Sequence, residues 1–354
     1  MKKPALNRNS SIELLRILAA CGVILLHYNN ASIGGGMRYV QNNSINEWYL
    51  RLTQAIFCTS VNIFILISGY FQSGKKISSR KILDLFTLTL FTRLLFYFIQ
   101  IGIGTISCTA KGLIIAVLPT NYFLVLYVTL YILTPFLNLF SEKLSHCQFK
   151  KFVQVLFWLF SVLAFCVDCL EKLLGDSVTS MSPVGMCGSQ YGSTIVNFIL
   201  VYFIGAYLRI AKIKMDRISI LLRSLGCLGI IMLLSIFGAR AWYYDNPFVI
   251  LLSVFICATQ IVELILTDKW LPCVPFLRIF CLTYLFYPIH TANLNAIKAK
   301  GRSDLFLRLE IIKSCIGILI LIITMKYGVI VMAYGIQNRV DGVTKSHPDG
   351  FLIG

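Results

Sequence analysis

The chain has 354 residues, of which 57% are hydrophobic and 13% charged, and a formal net charge of +17. That charge share is about half of what a soluble domain carries, and apolar runs long enough to cross a bilayer recur along the whole length. A soluble enzyme, a disordered chain and a disulfide-stapled secreted module are therefore excluded. On a soluble protein such a basic excess would mark a nucleic-acid surface; here it is read as the flanks of membrane spans, and no nucleic-acid partner is expected.

The predicted fold is all-α, a polytopic integral membrane protein with ten spans. They fall near 12–32, 50–72, 83–107, 121–141, 151–170, 193–212, 217–238, 246–267, 273–294 and 311–333. Residues 1–340 form one membrane domain and 341–354 a short polar tail. The piece at 108–120, only moderately apolar and interrupted by Pro119, is expected to be re-entrant. Lys2 and Lys3 before an apolar stretch imitate a signal peptide, but Glu13 and Arg16 inside the stretch indicate a retained first span. With the N-terminus inside, the inner segments hold roughly twice as many basic residues as the outer ones, so both termini are expected to be cytoplasmic. The group Lys298, Lys300, Arg302 and Arg308 opposes that bias. The location expected is the inner or plasma membrane, with lipid as the surrounding partner.

Twelve cysteines are scattered singly, mostly inside spans, where Cys packs as a small apolar residue. Cys166 and Cys169 form a CxxC with no second pair and no His at zinc spacing, so no metal is expected.

An ionisable side chain inside a span costs about 2.5–3.5 kcal/mol, so it faces a cavity or a partner and is a functional candidate. The first span holds two. Arg16 and His27 are eleven residues apart, 20° after three full turns, so they share one face. Their separation along the axis is roughly 16 Å, with Arg16 near the inner end and His27 in the outer half. Glu13 lies one turn below Arg16. Near the outer end of the ninth span, His290 reaches a depth similar to that of His27. Other intramembrane polar groups are Arg93, Glu263, Lys313, Lys326, Asn62 and Asn197, with Arg93 mid-span and the hardest to explain by snorkelling. Tyr127 and Tyr131 share a face of the fourth span.

These residues match a known pattern. Arg16 and His27, within Glu13-Leu14-Leu15-Arg16 and Leu25-Leu26-His27, resemble the first-helix motif of the membrane-bound acyltransferase family 3. Asn62-Ile63-Phe64-Ile65-Leu66-Ile67-Ser68-Gly69-Tyr70 is similar to the second-helix signature of that family. Tyr122-Phe123-Leu124 through Tyr131-Ile132-Leu133-Thr134-Pro135 resembles its fourth-helix block. Many polysaccharide-modifying members carry Glu where this chain has Tyr127 and Trp where it has Tyr122. The chain looks more like the subgroup without that Glu and without an appended SGNH esterase domain. The segment Tyr284–His290 follows the corresponding block loosely.

The resemblance implies transfer of an acyl group, most often acetyl from acetyl-CoA, to a sugar hydroxyl of a lipid-linked or cell-surface glycan: O-antigen, capsule or exopolysaccharide. No cofactor is bound permanently; acyl-CoA is a co-substrate. A hydroxyl needs a base to attack a thioester at neutral pH, and histidine suits that task. His27 is the candidate base. Arg16 either binds CoA phosphates or orients a carboxylate such as Glu13. Ser68, Tyr131 or a main-chain amide is the candidate oxyanion donor; Glu13, Arg93, Tyr127 and His290 complete the set of candidate substrate-binding residues. Direct transfer and a covalent acyl-enzyme through His27, Ser68 or a Cys both remain open. The rival class is a glycan flippase, exporter or polymerase, against which stand the short outer loops and the lack of a two-half repeat.

Overall fold

The computed structural model of the protein describes residues 10–30, 36–75, 78–102, 104, 106–118, 121–184, 192–211, 216–238 and 240–258. Among them there are helices and no strands. In chain order the helices are α1 (Ser10–Asn29), α2 (Gly36–Tyr39), α3 (Ile45–Phe57), α4 (Ser60–Gln72), α5 (Ser79–Gly102), α6 (Ala110–Val117) and α7 (Tyr122–Lys143). Next come α8 (His146–Phe157), a π turn (Trp158–Leu163), α9 (Ala164–Leu174), a 3₁₀ turn (Gly175–Met181), α10 (Ile195–Ala211), α11 (Arg217–Ile236) and α12 (Pro247–Ala258). Five helical stretches are long and apolar enough to cross a membrane: Ile45–Gln72, Ile82–Gly102, Tyr122–Lys143, His146–Leu174 and Ile218–Ile236. Shorter apolar helices, Leu15–Asn29, Ile195–Ala211 and Pro247–Ala258, occupy the places of the first, sixth and eighth expected spans. The ninth and tenth spans and the polar tail lie outside the described residues.

Local chemistry sets the helix ends. Ser44, Thr109, Asn121 and Asp216 each accept a backbone N–H at the start of a helix, and Ser145 with Gln148 forms a capping box. The second span begins at residue 45 rather than 50 and is interrupted. At the break, Cys58 Sγ turns back to the carbonyl of Ala55 and Thr59 Oγ1 donates to that of Ile56. Such back-bonding competes with the helical ladder and bends it. The fifth span is longer than expected, 146 to 174, and absorbs an extra residue in its π turn, where Ser161 Oγ donates 2.6 Å to the carbonyl of Asp245.

The core is built on α4 and α10, which run parallel. Asn197 Nδ2 donates to Asn62 Oδ1 at 3.3 Å near one end, and Arg209 donates to the Ser73 carbonyl near the other. Between these points the backbones touch. A Cβ on Gly69 would lie 2.2 Å from the Tyr202 carbonyl oxygen, and one on Gly205 would lie 2.3 Å from that of Leu66. Only glycine permits that approach, and Ile65, Leu66, Val201 and Tyr202 are buried around it. One end of the bundle gathers residues 72–75, Ser78, residues 138–143 and Arg209; the other gathers Asn29, Arg51, Asn62, Asp168, Asn197 and the 240–246 loop.

Candidate functional site

Helix α1 packs antiparallel to α3 and α4 along a stripe of Leu15, Ala19, Gly22, Leu26 and Asn29, spaced by fours and threes. Two contacts fix the register. Asn29 Nδ2 donates to the Leu50 carbonyl at 3.2 Å and to Thr53 Oγ1 at 3.0 Å. A Cβ on Gly22 would lie 2.3 Å from the Phe57 ring and 2.4 Å from Ser60 Oγ, so α1 crosses at the break between α3 and α4. Leu15 and Ala19 continue the seam against Ile63 and Ile67. Arg16 and His27 each follow a seam residue by one position, so both lie on one flank of α1, about 100° round from the contact. Both are half-buried.

The register sets depth. His27 is five residues past Gly22, and Ser68 is eight residues past Ser60 in the opposite direction. At 1.5 Å per residue they are roughly 20 Å apart along the bundle. Ser68 therefore cannot donate to an oxyanion formed at His27. Arg16 is six residues from Gly22 on the Ser68 side, so Arg16 and Ser68 lie within about one turn of the same depth.

The structure brings Ser68, Tyr127 and Tyr131 together at that end. Ser68 Oγ and Tyr127 Oη are 3.2 Å apart, and Gln72 Nε2 donates to Tyr127 Oη at 3.3 Å. Tyr131 Oη accepts from the Ser78 N–H at 3.2 Å. Tyr202 Oη donates to Asn138 Oδ1 at 2.7 Å, and Asn138 Nδ2 donates to the carbonyls of Gln72 and Lys75. With Arg209 on the Ser73 carbonyl, α7 and α10 clamp the start of the α4–α5 connection, where Gly74 takes a φ of 71°. Lys75 stands over the Phe71 ring and Arg209 reaches the same connection, where the Glu142 carboxylate also stands near Gly74, so cations outnumber carboxylates at this end.

Arg93 belongs elsewhere. Its Nε donates to the Ala116 carbonyl at 3.0 Å and its second amino group to that of Ile115 at 2.6 Å, where α6 ends. A guanidinium suits the orphan carbonyls and negative dipole of a helix C-terminus. With Tyr97 Oη donating to the Thr109 carbonyl, it holds α6 folded back against α5. Glu13 lies one turn before Arg16 in α1, and His290 lies outside the described residues. Cys166 and Cys169 carry free thiols.

Several polar residues escape a reading by span. Gln72, Asn138 and Arg209 sit at predicted span ends, where a polar residue looks merely solvated. Asp168 lies two residues inside a predicted boundary and was the legible signal; it pairs with Arg240, which also holds Glu171 at 2.8 Å. Burial works against the charge of Arg240, but Asp168 and then Tyr243 and Glu171 outweigh it, and the guanidinium stays above its ordinary range.

Among known proteins, a family model described as an acyltransferase domain, that of acyltransferase family 3, matches residues 9–327. No curated protein and no solved structure matches the chain significantly.

Proposed function

The chain belongs to acyltransferase family 3, and on that premise we propose that it moves an acetyl group from acetyl-CoA to a hydroxyl of a lipid-linked or cell-surface glycan. The observation that carries this reading is the flank of α1, where a guanidinium and an imidazole share one side of the helix, roughly 16 Å apart in depth. By the same register Arg16 stands between His27 and the cationic end, roughly 12 Å short of the α4–α5 connection that carries Lys75 and Arg209. A CoA phosphate bound at Arg16 would meet a fork of donors that matches its geometry, which lysine offers less well. The pantetheine arm then runs along α1 toward His27. At that point the imidazole takes the proton of the acceptor hydroxyl while the oxygen attacks the thioester carbonyl. The carbon–sulfur bond breaks, the thiolate of CoA leaves and is protonated, and the sugar ester remains. Ser68, Tyr127 and Tyr131 serve this scheme as the framework of the cationic end. The basic residues of that end support a cytoplasmic side for it, where CoA is found.

The test uses the purified chain in lipid vesicles with [14C]acetyl-CoA and membranes bearing the glycan of the host. Label is expected in the glycan, with one free CoA thiol released per acetyl transferred. A flippase or exporter would release no thiol, and that result would overturn the reading.

A further inference from the structure

Beside His27 lies a side chain with hydrogen-bonding capacity left over. Gln54 Oε1 is buried and has no partner among the described residues. On α3 the seam toward α1 runs through Leu50, Thr53 and Phe57, and Gln54 follows Thr53 by one position, as His27 follows Leu26 on α1. For two antiparallel helices, equal rotations from the contact point to the same side of the pair. The register that sets Asn29 beside Leu50 and Thr53, and Gly22 beside Phe57 and Ser60, places His27 level with residues 53–55. His27 and Gln54 thus occupy one side of the α1–α3 pair at one depth.

That side is closed by α11 and α12. Arg51 donates to the Ser235 carbonyl at 2.6 Å, and Ala55 and Cys58 are buried against Ile231, Val249 and Leu252. Gln54 is therefore on the side of α3 that faces α11 and is shared with His27. A buried carbonyl without a donor loses its full hydration and regains nothing; Ser182 Oγ, Asn197 Oδ1 and Trp242 Nε1 are buried without a partner among the described residues too, and Gln54 Oε1 is set apart by its level with His27. The neighbouring Arg51, by contrast, is fully engaged with Glu47 and Ser235.

We propose that Gln54 Oε1 accepts a hydrogen bond from the substrate that reacts at His27. The inference rests on the proposed function, since it takes His27 as the reacting end of the site. Two donors fit one acceptor of this kind: a hydroxyl on the acceptor sugar, next to the one acylated, and an amide N–H of the pantetheine arm. Both are neutral hydrogen-bond donors, and both arrive only with substrate.

The test compares the wild-type chain with Gln54→Met, Gln54→Glu and His27→Ala, using [14C]acetyl-CoA and membranes bearing the host glycan, with thermal melting measured in parallel. Methionine keeps the length of glutamine and removes the acceptor. Gln54→Met is expected to melt at or above the wild type, while kcat/KM falls at least tenfold. A rise in KM for acetyl-CoA assigns the bond to the pantetheine amide; a rise in KM for the glycan assigns it to the sugar. Gln54→Glu, which keeps an acceptor, recovers part of the loss. Unchanged KM values for both substrates in a folded Gln54→Met overturn the proposal, as does a lower melting midpoint with normal turnover per folded molecule. Failure of the parent reading looks different: the wild-type chain would then transfer no acetyl, or His27→Ala would transfer it normally.

Discussion

Two polar regions lie within this apolar chain, and they are built on opposite terms. In the clamp of Gln72, Tyr127, Tyr131, Asn138, Tyr202 and Arg209, donors and acceptors are matched to one another and to the backbone of the α4–α5 connection. In the corner between α1, α3 and α11, a half-buried imidazole stands level with a carboxamide whose buried oxygen has no donor among the described residues. In a medium that cannot hydrogen-bond, a matched network defines one fold, and an unmatched atom weakens it. The clamp is thus scaffold, and the corner is where a substrate has something to add. Substitutions in the corner should change transfer more than melting, and those in the clamp the reverse.

The largest effect expected is that of His27→Ala, which removes the base. Transfer from acetyl-CoA should fall by roughly 10²–10⁴-fold with the melting midpoint within a degree or two of wild type. Arg16→Ala removes charge-assisted bonds to a phosphate, each about 1.5–3 kcal/mol. The KM for acetyl-CoA should rise roughly 10–100-fold, with Arg16→Lys intermediate. Equal loss with acetyl-CoA and with a truncated acetyl-pantetheine donor would remove the phosphate assignment. Gly69→Ala acts on the scaffold: its methyl meets the Tyr202 carbonyl at 2.2 Å, so the two helices must separate, at roughly 3 kcal/mol. Chemical denaturation in detergent should register that loss. Tyr202→Phe leaves Asn138 Oδ1 buried without its donor, for about 1–3 kcal/mol, and per-molecule transfer is preserved.

The sequence makes legible what depends on composition and on spacing within one helix. Apolar runs placed helices at eight of the ten expected spans, and the eleven-residue interval put Arg16 and His27 on one face of α1. Charge within a span flags Arg93, though not its use as a cap for α6, because composition marks residues 108–120 only as a moderately apolar, re-entrant piece. What depends on register between helices was not readable. Ser68 is a candidate oxyanion donor by its hydroxyl alone, yet the crossing at Gly22 sets it roughly 20 Å from His27 along the axis. Gln54 carries no signal in sequence at all: an uncharged residue early in a predicted span gains meaning only from what faces it. The roles of Gly69 and Gly205 likewise appear once the α4–α10 crossing is known.

The measurement that bears most directly on the account is the rate of acetyl transfer per folded molecule, read against melting midpoint, in His27→Ala and Tyr202→Phe side by side. His27→Ala is expected to melt as the wild type does and to transfer acetyl roughly 10²–10⁴-fold more slowly, while Tyr202→Phe melts earlier and transfers at the wild-type rate per folded molecule. Normal glycan acetylation by a folded His27→Ala, or loss of transfer in Tyr202→Phe beyond its loss of folded protein, would contradict it.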